Sequence, residues 1–229
     1  MKYDDPNCAY CPPTVRACRN GESGTKGPGF CPSKVDAAPL ETARAEYEDE
    51  TTRRFAKASA EVEGEGYGVW CRAEEIIHFA KKMDYHKLGI ATCIGLVDFA
   101  HLYASILESH GFEVLSVACK TGAVPKEELG LRDDQKVRPG TFEPMCNPIA
   151  QAEMLNAHGS EFNILMGLCV GHDSLFFRHA QAPCTVLVTK DRVLAHNPLG
   201  ALELADTYYR RLWGPLGPKA PGKQPNARR

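Results

Sequence analysis

The stretch "LGIATCIGLVDFAHLYASILESHGFEVLSVAC", residues 88–119, contains two kinds of periodicity. Its first six residues, "LGIATC" (88–93), are almost continuously apolar, as in a strand buried on both faces. From Leu96 to Gly111 the apolar residues recur at helical spacing, and Gly111 supplies the stop. "FEVLSVAC" (112–119) is then the next strand. Strand, helix and strand with short connections make a parallel crossover unit, because parallel neighbours need a connection of helix length.

The same alternation continues downstream. "NPIAQAEMLNAHG" (147–159) is predicted as a helix with Pro148 in its first turn, and "FNILMGL" (162–168) as a third strand. "DSLFFRHA" (173–180) is a short helix, "CTVLVTK" (184–190) a fourth strand and "ALELADTYYRRLW" (201–213) a closing helix. Lys120 to Met145 is too long for a simple connector and is expected to form a lid or an excursion. Upstream, one helix is predicted over Leu40–Ala60, interrupted by Gly64, Gly66 and Gly68, and another over Ala73–Met83. "EGEGYG" (63–68) follows no strand and is therefore not a dinucleotide fingerprint. The predicted fold class is α/β, with a doubly wound, mostly parallel sheet and an N-terminal Cys-rich metal-binding module. The expected division is a Cys-rich module (1–39), a helical connector (40–86), a Rossmann-like α/β domain (87–213) and a disordered, Pro-rich tail (214–229).

A formal net charge of -2 over 229 residues gives no electrostatic case for nucleic acid or an anionic membrane surface. No apolar run approaches the roughly 20 residues that cross a bilayer. "MKYDDPNCAYC" has no apolar h-region, so a cytoplasmic protein is expected. Ten cysteines in a reducing compartment point away from disulfides and towards metal or redox chemistry.

The cysteines fall into two sets. Cys8, Cys11, Cys18 and Cys31 lie in a segment with almost nothing apolar to bury, so a metal is the expected ordering agent. Four soft ligands suit zinc or an iron–sulfur cluster, and a purely structural role for this set is an open alternative. The second set is scattered in sequence: Cys93, Cys119 and Cys169 each end a strand, and Cys146 precedes the helix leading to the third strand. In open parallel sheets ligands bind outside the carboxyl ends of the strands, so these four are expected to converge there. A cysteine in a strand is otherwise most often a small hydrophobe, which is the expectation for Cys71 and Cys184. His172 is a candidate proton donor or substitute ligand. Asp173 is a candidate acid–base group or simply an N-cap, and Lys120 could hold an anionic substrate. Lys190, Asp191, His196 and Asn197 follow the fourth strand and could line the same crevice. Asn147 is expected to cap its helix.

The segments "CAYC...ACR...CP", "GIATCIGL", "MCNPIAQAEMLN", "GLCVGHDSLF" and "KDRVLAHNPLGAL" resemble the prokaryotic proteins of the domain of unknown function 1847 family. The resemblance covers nearly the whole chain, excluding the tail and without a match at the acidic helix 40–60. It implies a metal-binding protein, with Cys8, Cys11, Cys18 and Cys31 as the metal motif, and it implies no particular activity. The strand-end set is a separate expectation, drawn from its positions alone.

The leading expectation is an iron–sulfur redox or sulfur-transfer enzyme. In it, Cys93, Cys119, Cys146 and Cys169 hold a 4Fe-4S cluster and zinc or a second centre occupies the N-terminal set. Its partner would be a small-molecule substrate or an electron-transfer protein. The alternatives are a non-catalytic metal-binding or trafficking protein and a zinc-stabilised module for a small ligand.

Overall fold

The computed structural model describes residues 5–215, so most of the expected tail lies outside the described residues. The backbone divides into two compact units, one ending at Glu65 and one beginning at Gly66.

The first unit opens with tight turns at its cysteines. The Cys8 carbonyl accepts from the Cys11 N–H at 3.0 Å, and the Cys18 carbonyl accepts from the Gly21 N–H at 3.2 Å. Two single-turn helices follow, α1 (Ser23–Lys26) and α2 (Pro32–Val35). The expected helix over 40–60 is two helices, α3 (Ala38–Glu46) and α4 (Glu50–Gly66). The break is chemical. The Asp49 carboxylate accepts from the Thr52 N–H at 2.7 Å, an N-cap that starts a new helix. α4 then runs through Gly64 instead of stopping there.

The second unit contains α5 (Arg72–Lys82), β1 (Lys87–Thr92), α6 (Val97–Ser109), β2 (Glu113–Ala118), α7 (Pro148–Ala157), β3 (Phe162–Met166), α8 (His172–His179), β4 (Cys184–Val188) and α9 (Leu199–Glu203). The four strands form one all-parallel sheet in the order β2-β1-β3-β4. Alternate residues face opposite ways. Ala91, Leu165 and Val186 share a face and pack with Ala152, Leu155 and Phe176 of α7 and α8. On the other face, Phe79 of α5 meets Phe162, and Met166 and Val188 line a groove with Phe99, Leu102 and Ile106 of α6. Helices on both faces make the fold doubly wound, as expected from the apolar strands. Because the order runs outward from β1 in both directions, the crevice beyond β1 and β3 is a topological switch point.

Two local expectations are corrected. The closing helix stops at Glu203, and the Thr207 hydroxyl and backbone N–H both turn back to the Leu204 carbonyl, which competes with continued helix. Asp173 is not the N-cap of α8. Gly171 takes that place at φ +83°, and Asp173 lies in the first turn with its carboxylate accepting from the Ser174 N–H at 2.8 Å. The 120–145 connection is a closed excursion. Its backbone pairs with itself, Met145 N–H donating to the Val124 carbonyl at 2.8 Å. Buried Lys136 donates to Glu127, to the Thr141 carbonyl and, across 2.7 Å, meets Asp133.

Candidate metal centre

The sheet's own hydrogen bonds carry two cysteines just past the strand ends. The Cys93 N–H donates to the Met166 carbonyl at 3.0 Å, and the Cys119 N–H to the Thr92 carbonyl at 2.8 Å. Both side chains are nearly buried, at 7% and 3% exposure, on the α7–α8 side of the sheet. The Asn147 N–H donates to the Cys119 carbonyl at 2.8 Å, which places Cys146 beside Cys119. Asn147 also caps α7 as expected, its side chain accepting from the Ala150 N–H at 3.1 Å. Cys169 is not a strand-end residue. β3 finishes at Met166, and Gly167 turns the chain at φ +69°, where a Cβ would strike the Leu96 side chain. Cys169 therefore sits in the turn before α8, and its carbonyl accepts from the His172 N–H at 2.9 Å.

These positions bring the side chains together. The Sγ atoms of Cys146 and Cys169 and a ring nitrogen of His172 all lie within 4.8 Å of one another. They are the one such group among the described residues. His172 Nδ1 is buried and has no hydrogen-bond partner. A ring that comes within 4.8 Å of two sulfurs and carries a buried nitrogen without a partner has the chemistry of a metal-ligand set. The thiol row extends further, since Cys119 adjoins both Cys146 and Cys93.

Electrostatics divides the protons unevenly. The Cys119 thiol, the Gly95 N–H and the Lys190 ammonium pull Cys93 down to about 4, against a burial that opposes ionisation. Cys119, then the Lys120 ammonium and His172, pull Cys146 down to about 5. Cys119 itself is pushed up, because it hydrogen-bonds to both neighbours as thiol and is buried. Cys146 and Cys93 are thus thiolates at neutral pH, the form that ligates metals. Arg192 Nη2 donates to Cys169 Sγ at 2.8 Å.

The other candidates are placed as follows. Lys120 and His172 adjoin Cys146, whereas the Asp173 carboxylate turns back on its own helix. Lys190 reaches Cys93. Asp191 accepts from the Val193 and Leu194 N–H groups, and His196 accepts from the Asp191 N–H, so this pair shapes its own loop. Cys184 is a core thiol, raised by burial, whose S–H donates to the Ala182 carbonyl at 3.2 Å. In the first unit no three of Cys8, Cys11, Cys18 and Cys31 bring their sulfurs within 4.8 Å of one another, although all four are described residues. Sequence reasoning missed Arg192, whose only signal is its position four residues beyond the end of β4. It also missed Gln151, wholly buried in α7, whose Nε2 donates to the Thr92 and Val117 carbonyls at 3.1 and 2.7 Å behind the thiol row.

Residues 31–187 match the model of the family described as "Protein of unknown function (DUF1847)". The chain belongs to this family. A relative from Methanocaldococcus jannaschii, "Uncharacterized protein MJ0455", is 47% identical over 157 residues, which is 69% of this chain and 79% of the relative. The family match is shorter than the expected resemblance. It contains all four thiols of the row and His172, includes the acidic helix 40–60, and leaves Cys8, Cys11, Cys18 and the loop after β4 outside. No helix among the described residues is long and apolar enough to cross a membrane.

Proposed function

We propose that the thiol row is the ligand set of an iron–sulfur cluster and that the protein is a redox or sulfur-transfer enzyme working at the carboxyl edge of its sheet. The observation that carries this reading is the continuity of the row. Cys93, Cys119 and Cys146 adjoin one another in series, close enough to shift one another's protons, and Cys146 and Cys169 lie within 4.8 Å. Four soft donors from four separate segments, at a topological switch point, suit a reacting centre better than a folding staple. When bound, the cluster would supply one-electron chemistry. The protein's residues supply the rest: Cys93 and Cys146 are already ionised for ligation, and His172 stands beside Cys146 as the candidate proton donor. Cys8, Cys11, Cys18 and Cys31 would bind a second centre, zinc or cluster.

A second reading has its own observation. Cys146, Cys169 and His172 converge closely enough for one ion, leaving a fourth position open as in catalytic zinc sites. Anaerobic purification followed by visible spectroscopy and iron, sulfide and zinc analysis separates the two. Iron and sulfide in equal amounts, lost in Cys93→Ser as well as Cys169→Ser, support the cluster. A colourless protein whose zinc survives Cys93→Ser but not Cys169→Ser replaces it with the single ion. A preparation holding neither metal sinks both.

A further inference from the structure

Sheet order places β2 and β4 at opposite edges, three strand spacings or about 14 Å apart. From the β2 edge Lys120 reaches Cys146, and from the β4 edge Lys190 reaches Cys93 and Arg192 reaches Cys169. Three cations from the two edges therefore bracket the thiol row, at Cys146, Cys93 and Cys169. Within the 120–145 excursion, Lys126 pairs with Glu143 and Lys136 with Glu127 and Asp133. Among the described residues none of the three bracketing cations has a carboxylate within 4.0 Å. Asp191, beside Lys190 and Arg192, is turned to the Val193 and Leu194 N–H groups, and Asp173 of α8 to that of Ser174.

We propose that Lys120, Lys190 and Arg192 form an anion subsite beside the thiol row and that the substrate is a small oxyanion. The inference deepens the reading of the row as a reaction centre and rests on it. Counter-charge for the thiolates does not account for all three cations. A divalent ion on two thiolates is formally neutral, and a cluster with four thiolates carries less negative charge than three cations neutralise, so a loaded centre keeps a positive surplus. Arg192 is exposed, and its planar guanidinium presents several N–H groups in a geometry that matches paired oxygens, of which Cys169 takes one. Lys190 and Lys120 are half-buried point charges on either side.

The test is calorimetric titration of the full-length protein, as purified, with sodium sulfate and separately with sodium thiosulfate at low ionic strength. Saturable binding that weakens at least tenfold in both Arg192→Gln and Lys190→Gln is expected, with circular dichroism unchanged. Stronger binding of thiosulfate than sulfate would add contact between its terminal sulfur and the centre, whereas equal binding would assign recognition to the cations alone. Absence of saturable binding of either anion, or binding indifferent to both substitutions, overturns the subsite. Metal analysis of the same samples keeps the two proposals apart. Metal-free protein that binds sulfate through Arg192 sinks the cluster and keeps the subsite, whereas metal-loaded protein that binds neither anion does the reverse.

Discussion

Cys93, Cys119 and Cys146 share one proton near neutral pH, and that arrangement has a pH signature. In the unfolded chain all three thiols titrate near the ordinary cysteine value of about 8.5. In the folded metal-free protein Cys93 and Cys146 are already ionised at about 4 and about 5, so from pH 5 to about 8.5 the unfolded state holds more protons. Stability contributed by these two groups is therefore fully present above the unfolded value and is lost as pH falls towards 5. Cys119 has the opposite sign. Its raised folded value means that its contribution is present below about 8.5 and declines above it. The expected result is a stability maximum close to pH 8.5 in urea unfolding of metal-free, reduced protein. The slope below that maximum should flatten in a Cys93→Ser/Cys146→Ser double variant. A second expectation concerns reactivity: at pH 6 iodoacetamide should modify Cys146, lowered to about 5, well before Cys184, whose thiol burial holds above the ordinary range, although both are half-buried.

The elements that aim these residues are β1, β2 and the start of α7. Gln151 ties α7 to the Thr92 carbonyl at the end of β1 and the Val117 carbonyl one residue before the end of β2, so Gln151→Leu should cost about 1–3 kcal/mol in denaturant titration, the usual consequence of breaking buried hydrogen bonds. Asn147→Ala should cost about 1 kcal/mol through the lost cap, and it should lower metal occupancy because Cys146 is the adjacent residue. Sequence placed all four strands within a residue or two, because each is a nearly unbroken apolar run with a turn on either side. It also placed Cys93 and Cys119, since a cysteine one step beyond such a run keeps its neighbour's ladder position. Lateral order was not legible: nothing in residues 184–192 says that β4 lies beside β3, so the approach of Arg192 to Cys169 could not be read. Helix ends at Tyr47 and Leu204 were missed for a different reason. There a side chain competes locally with the helix, and the overall amphipathic pattern does not register it.

At the scale of the molecule, the two cysteine sets lie in separate compact units, one ending at Glu65 and one beginning at Gly66. If each set holds a centre, Cys11→Ser and Cys169→Ser should each remove part of the bound metal, and the double variant should remove the sum. A single substitution that empties the protein would instead mean one shared centre. Within the second unit, the thiols of β1 and β2 are fixed by ladder bonds to the Met166 and Thr92 carbonyls. Their lateral spacing is therefore the strand pitch of about 4.8 Å, a main-chain property that core side chains do not set. Point substitutions in the core will thus erode melting temperature well before they alter the distance between those sulfurs. Inserting or deleting one residue within β1 or β2 acts differently, since it swings the following thiol to the opposite face of the sheet. The centre should tolerate drift in composition while being brittle to any change in strand length.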